Sequence, residues 1–443
     1  MPGTEALLPP LDIAARPPDA SPSPIAPRPE TLPAPGFLRR RRLETMLCLD
    51  DFEAAARRCL PRPLFGYVSG AAERNASLHD NARAFEALLF APRVLVNVAA
   101  RSAAVSLFGR EYSTPFGIAP MGIAALSAYR GDVALAQAAQ EAGIAAILSG
   151  TSLIPLEEVI AAAPDTWFQA YLPGDPVRIR ALIERVARAG VGTLVVTVDL
   201  PVSANRENNL RSGFSTPLRP SLRLAWDGLS HPGWLAGTFL RTLWRHGMPH
   251  FENSFATRGA PILSRSVARD FSARDHLCWE HLHAIRRQWQ GPLVIKGVLS
   301  VADALAARQA GADGVILSNH GGRQLDGSAS PLRLLPAVVD ALGDYPVMLD
   351  GGVRRGSDVL KALALGARMV FVGRPFNYAA AVGGQAGVAR AIQLLREEVM
   401  RNMAMLGVNA CADLGRDHLL PAGRNPLTGT NLAADMLQPR ESN

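Results

Sequence analysis

Residues 293–326 read LVIKGVLSVADALAARQAGADGVILSNHGGRQLD, one complete instance of the pattern on which most of the chain is built. Leu293-Val294-Ile295-Lys296 has the length and branching of a buried strand. An alanine-rich amphipathic run, 301–310, follows and stops at Gly311, a residue that accepts the left-handed backbone of a helix end. A second apolar run, Gly314-Val315-Ile316-Leu317, then leads straight into Ser318-Asn319-His320-Gly321-Gly322-Arg323-Gln324-Leu325-Asp326. A packed strand thus delivers a base, His320, and a planar cation, Arg323, three residues apart. Histidine exchanges a proton near neutral pH, and arginine can grip a carboxylate with two parallel hydrogen bonds. The glycines between them leave room for a flat ligand to approach the backbone. The pairing suits chemistry on a small acid; a polar surface turn is the alternative.

The same unit recurs on both sides. Strands are predicted at 116–119, 145–149, 167–171, 194–199, 293–296, 315–318, 347–350 and 369–372. Helices at 133–142, 177–189, 301–310 and 357–365 each stop at a glycine: Gly143, Gly190, Gly311 and Gly366. Eight strand–helix units in sequence predict a (β/α)8 TIM barrel, in which the loops after the strands meet at one face. A dinucleotide fold is disfavoured, because no Gly-x-Gly-x-x-Gly follows an early strand. The strand ends carry Pro120-Met121-Gly122, Ser149, Gln169 with Tyr171, Thr197 with Asp199, Lys296, and the run from Ser318 to Arg323. Asp350-Gly351-Gly352-Val353-Arg354 and Gly373-Arg374 close the series. These last two ends resemble the phosphate cradle that barrel enzymes build after strands seven and eight.

Composition sets the bounds. The 443 residues are 48% hydrophobic and 19% charged, enough apolar content for a sizeable core. The net charge of +7, mostly arginine, permits anionic ligands or a membrane surface, but no nucleic-acid-reading motif is present. Cys48, Cys59, Cys278 and Cys411 are scattered, without metal-ligand spacing, and read as thiols of a reducing compartment. Residues 1–42 form a proline-rich tail expected to be disordered, closed by Arg39-Arg40-Arg41-Arg42, and lack the signature of a signal peptide. The barrel domain is expected over 43–411, beginning with helical pattern to about 100 and carrying an insertion at 200–291; a second tail spans 412–443. No segment offers the ~20 uninterrupted apolar residues of a membrane span, so a cytoplasmic protein is expected, at most peripheral on the inner face of the plasma membrane.

From about 64 to 411 the chain resembles the FMN-dependent 2-hydroxy acid dehydrogenase/oxidase family, which includes glycolate oxidase and lactate oxidase, and is closest in look to its mandelate dehydrogenases. The resemblance rests on Tyr67-Val68-Ser69-Gly70-Ala71-Ala72, Phe168-Gln169-Ala170-Tyr171, Thr197-Val198-Asp199, Lys296-Gly297, the 318–326 run, 350–356 and Lys361-Ala362-Leu363-Ala364-Leu365-Gly366-Ala367. It implies FMN across the barrel mouth. Pro120, Met121, Gly122, Ser149, Gln169, Thr197, Lys296 and Ser318 would hold it, with Tyr171, His320 and Arg323 bordering it. Its phosphate would rest on Asp350, Gly351, Gly352, Arg354, Gly373 and Arg374. By the same resemblance Tyr67, Tyr171, Arg206 and Arg323 would hold the substrate, His320 would be the base, and Asp199 would support it. Tyr67 as a core or interface residue, and Arg206 paired with Glu207, are the plainer readings of those two positions.

Such residues suit oxidation of an L-2-hydroxy acid to the 2-oxo acid. Two arginines orient a carboxylate, an imidazole favoured in its charged form by a carboxylate takes a proton, and a lysine meets charge developing on the flavin. Gly122 and Thr151 stand where many small-acid oxidases of the family carry alanine and tryptophan; both changes predict a wider pocket and a bulky or aromatic acid such as mandelate, with lactate the smaller option. About 90 residues separate strands four and five. Trp226, Trp234, Trp244 and several arginines there, in 222–255, resemble the family's membrane-docking segment, with quinone in place of oxygen as electron acceptor; an active-site lid or an oligomer contact is the alternative. A homotetramer is expected, and no metal. Competing readings are an isoprenyl diphosphate isomerase, a peptide-maturation oxidase on the same flavin barrel, and a non-catalytic binding module.

Overall fold

The strands predicted around residues 293–326 pair as neighbours in one parallel cylinder. The computed structural model describes residues 37–422 apart from 216–220 and 265–273, with side chains from residue 41 onward. Residues 1–36 of the predicted tail, 1–42, lie outside the described residues; the rest, expected to be disordered, falls in the helix Phe37–Glu44. The barrel strands are β1 (Phe116–Ile118), β2 (Ile147–Ser149), β3 (Trp167–Ala170), β4 (Leu194–Thr197), β5 (Leu293–Val298), β6 (Gly314–Leu317), β7 (Val347–Asp350) and β8 (Met369–Val372). From β2 to β8 each strand pairs in parallel with the next, and β8 returns to β1. A bridge between Ile118 and Ala146 closes the cylinder. The barrel helices are α1 (Gly131–Ala142), α2 (Leu156–Ala162), α3 (Pro176–Arg188), α4 (Trp279–Gln288), α5 (Val301–Gln309), α6 (Pro331–Leu342), α7 (Gly356–Ala364) and α8 (Arg374–Leu406), the last broken at Gly384. Gly143, Gly190, Gly311 and Gly366 take positive φ at the helix ends, as the sequence requires.

The period of two along a strand positions the site. Ile147, Trp167, Val195, Val294, Ile316 and Met348 pack together inside the cylinder, while Leu148, Phe168, Val196, Ile295, Leu317 and Leu349 face the helices. Continuing the inward phase by one step gives Ser149, Gln169, Thr197, Lys296, Ser318 and Asp350. Six strands therefore switch from apolar to polar at the same level, and a polar ring caps an apolar plug. The hairpin of Val105–Leu107 and Arg110–Tyr112 joins the inner cluster through Leu107 and Tyr112.

Two expectations change. The helical pattern does not run to 100: the fourth described helix, Ala76–Glu86, ends it, and Leu88–Phe90 forms a strand antiparallel to Leu419–Pro421. Pro92 lacks the N–H a continuing helix would need. Residues beyond 412, expected as tail, supply that partner strand.

The insertion between β4 and α4 folds into short helices, Glu207–Ser212, Leu222–Leu229, Pro232–Trp234 and Arg241–His246, with a π-helical turn at Leu235–Leu240. Its contacts are two-sided. Trp234 Nε1 donates to the Leu126 carbonyl (2.7 Å), Arg241 lies 3.8 Å over the Tyr129 ring, and Tyr129 Oη meets His246 Nε2 at 3.0 Å. Trp226 and Trp244, by contrast, are 71% and 82% exposed, beside exposed Leu222 and Leu229. Among the described residues no helix is long and apolar enough to cross a membrane.

Candidate active site

The polar ring opens into a cavity of about 840 Å³, within the range of small-ligand sites. His320 sits at its wall with φ +57, a left-handed backbone stabilised by a hydrogen bond from its own N–H to Ser318 Oγ (2.9 Å). That conformation turns the imidazole toward β4. Its Nδ1 lies 3.1 Å from Asp199 Oδ1 and must donate, because an ionised carboxylate only accepts. Nε2 is then the basic nitrogen, and it faces the Tyr171 hydroxyl at 3.4 Å.

Burial pushes the His320 pKa below its ordinary 6.5, aided by Lys296 and Arg206 and opposed by Asp199. Burial would raise the Asp199 carboxyl, but the His320 imidazole and Lys296 hold it below the usual carboxylate range. The result is a neutral imidazole hydrogen-bonded to an ionised carboxylate, the resting state of a general base.

Lys296 is 2% exposed, with Nζ 2.7 Å from Asp350 Oδ2 and 2.9 Å from Ser318 Oγ. Asp350 therefore spends one oxygen on the lysine. Its other oxygen, Oδ1, is buried without a hydrogen-bond partner, and the residue lines the cavity together with Gly351, Gly352 and Arg354.

The arginines do more scaffolding than their spacing suggested. Arg323 uses Nη1 on the carbonyls of Tyr67 (2.6 Å) and Gly70 (2.7 Å) and stacks 4.8 Å from the Tyr67 ring. Arg206 does not pair with Glu207; its Nε donates to the Arg323 carbonyl and its Nη2 to Gln324 Oε1. Arg374 donates to the carbonyls of Val68, Gly70 and Gly321, and Arg354 pairs with Glu53. Burial, reinforced by Arg206 nearby, lowers the Arg323 pKa to about 9 and the Arg374 pKa to about 10. Crowded, desolvated cations of this kind are stabilised by an incoming anion.

The glycines of the 318–326 run serve the neighbouring chain. A Cβ on Gly322 would lie 2.6 Å from the Leu78 nitrogen, and one on Gly321 would lie 2.7 Å from Arg374 Nη1. Gly352 likewise admits the Asn81 carbonyl, 2.6 Å from where its Cβ would be. These positions therefore exclude a side chain, and Gly321 and Gly352 also line the cavity. The helix Ala76–Glu86 packs onto the loops, and Asp326 anchors it by accepting from Arg74 N and Ser77 N. Gly122 is similar: a Cβ there would meet Thr151 Oγ1 at 2.3 Å, so Thr151 takes the space its missing methyl releases.

Whether FMN suits these residues can be tested on the polar atoms they leave over. Gln169 Nε2 and Thr197 Oγ1 are buried without a partner, a costly state unless a ligand completes them. Ser149 pairs across the ladder with Gln169, and Thr197 with Lys296, so these groups form a row suited to a flat ring bearing donors and acceptors. At the cavity's other end Arg354, Arg374 and the start of α8 supply positive charge for a phosphate, while the two lining carboxylates among the described residues, Glu53 and Asp350, are each matched by a cation. FMN fits. Among the described residues no cluster of three metal-ligating side chains exists.

Sequence reasoning missed Arg274 and Glu53, which line the same cavity. Arg274 comes from the insertion, 75 residues beyond Asp199, and no local pattern marks it.

Residues 56–421 match the FMN-dependent dehydrogenase family. An L-lactate dehydrogenase of Azorhizobium caulinodans is 40% identical over 376 residues, covering 84% of this chain and 97% of that protein. An L-lactate dehydrogenase of Stenotrophomonas maltophilia is 41% identical over 377 residues, with the same coverage. Among solved structures, a monotopic membrane protein, (S)-mandelate dehydrogenase, superposes with a TM-score of 0.78 at 34% identity, covering 85% of this chain and 100% of that one. A mandelate oxidase superposes with a TM-score of 0.71 at 34% identity, covering 85% and 99%.

Proposed function

The chain belongs to the FMN-dependent dehydrogenase family and oxidises an L-2-hydroxy acid to the 2-oxo acid with FMN as cofactor; from that premise we propose how its residues divide the work. The carrying observation is the line Asp199–His320–Tyr171, which aims a neutral imidazole nitrogen into a cavity ringed by arginines. Oxidation of a 2-hydroxy acid removes two protons and two electrons. His320 Nε2 takes the hydroxyl proton, and the imidazolium that forms is stabilised by Asp199. Tyr171 and Tyr67 donate to the oxygen as it gains charge, and the cavity-facing parts of Arg206 and Arg323 hold the carboxylate. FMN, when bound, would supply the acceptor for the two electrons together with the α-hydrogen. Ser149, Gln169, Thr197, Lys296 and Ser318 hold its ring, together with the backbone of 120–122; Arg354, Arg374 and the turns at Gly351, Gly352 and Gly373 hold its phosphate.

For the substrate we favour a bulky or aromatic acid over lactate. Leu200, Val202, Phe214, Phe251 and Ile262 line one side of the cavity, an apolar wall suited to a phenyl ring. Anaerobic addition of lactate and of mandelate to the yellow protein decides the matter. Bleaching by mandelate at a several-fold higher kcat/KM supports the aromatic reading, and the reverse order refutes it. Peripheral membrane attachment through Leu222, Trp226 and Trp244 accompanies this reading and favours quinone as electron acceptor.

A further inference from the structure

Tyr171 holds its hydroxyl 3.4 Å from His320 Nε2, long for a hydrogen bond, so its ring needs another restraint to stay aligned. A guanidinium supplies one. Arg274 Cζ lies 4.6 Å from the centre of the Tyr171 ring, and both side chains line the cavity. Backbone contact holds the two loops in register. Gly174, three residues after Tyr171, abuts the turn Arg274–His276 so closely that a Cβ on it would lie 2.3 Å from His276 Cβ and 2.4 Å from His276 C. Only a glycine admits that approach, so the turn carrying Arg274 is held against the loop carrying Tyr171.

We propose that Arg274 is a positioning residue, fixing the tilt of the Tyr171 ring so that its hydroxyl points at His320 and at the substrate oxygen between them. A cation over the ring face is attracted to the π cloud and also draws electron density from the phenol, making its O–H a stronger donor. This assignment rests on the reaction proposed above and adds to it a residue from outside the barrel units. It also gives the insertion a part in the chemistry, separate from any contact with a membrane.

A double-mutant cycle with Arg274→Met and Tyr171→Phe tests it, using the flavin-loaded enzyme and the visible spectrum to verify cofactor content. Arg274→Met is expected to lower kcat by about tenfold with KM changed by less than about threefold, and to cost under about twofold when Tyr171 is already Phe. Arg274→Lys, which keeps the charge but not the flat group, should recover part of the loss. Additive losses, or a loss confined to KM, overturn the proposal; the latter assigns Arg274 to the substrate carboxylate instead. Crystal structures give a readout independent of turnover: in Arg274→Met the Tyr171 hydroxyl should leave its place opposite His320, and an unmoved ring overturns the proposal. Failure of every 2-hydroxy acid to bleach the wild-type flavin would count against the reaction and leave that crystallographic comparison intact.

Discussion

The barrel mouth and the β4–α4 insertion invert the usual rule of burial in opposite directions. At the mouth a lysine is 2% exposed; in the insertion a tryptophan is 82% exposed. Both are costly in isolation, and the difference lies in how each is compensated. Lys296 meets Asp350 and Ser318 inside the fold, so its desolvation is offset internally. Trp226 and Trp244 stay exposed, whereas Trp234 is half-buried and donates to the Leu126 carbonyl. A buried charge with partners indicates a site, and exposed aromatic residues beside leucines and arginines indicate a surface that meets something apolar.

Three experiments probe this contrast. The largest effect is expected at the mouth. His320→Gln should lower kcat by about a thousandfold, the scale of a lost general base, in anaerobic flavin-reduction kinetics, while binding to lipid vesicles stays unchanged. Loss of vesicle binding in that variant would merge the two regions into one function. Next, Trp226→Ser combined with Trp244→Ser should reduce partitioning onto anionic vesicles by about tenfold or more, in proportion to the apolar area withdrawn from the interface. With soluble acceptor kcat/KM should hold within about twofold, and Tm should move little, since neither ring is buried. Unchanged sedimentation would identify this face as an oligomer contact or a lid.

The smallest effect is a pH shift. In the proposed reaction His320 is a neutral base, and burial already places its pKa below 6.5. The Asp199 carboxylate opposes that by favouring the imidazolium, so Asp199→Asn should lower the His320 pKa further. The acid limb of kcat/KM should then move to lower pH by roughly one unit, alongside a reduced plateau. A limb moving upward would mean that a group other than His320 sets it.

Much of this was legible from the chain alone. Strand and helix periods are local properties, so the eight units and their terminal glycines follow from spacing within ten or so residues. The inward phase of each strand likewise predicts Ser149, Gln169, Thr197, Lys296, Ser318 and Asp350 as neighbours once the sheet closes. What residue order concealed was the direction in which the donors point. Arg206, Arg323 and Arg374 looked like anion clamps, yet each commits donors to backbone carbonyls of loops distant in sequence. Gly321 and Gly322 looked like room for a ligand; they also admit close neighbours, Arg374 at Gly321 and the helix Ala76–Glu86 at Gly322. Arg274 showed no signal, because the turn that brings it to Tyr171 is positioned by a contact at Gly174 that sequence spacing cannot express.

Sequence by itself determined the cylinder, the level at which it turns polar and the types of residue at that level, because hydrophobic period and strand phase act over short distances. Tertiary structure alone decided which arginine edges remain for an anion, which tryptophans stay outside and which distant residue steadies the tyrosine. Those outcomes depend on how loops separated by many residues compete for the same donors and the same space.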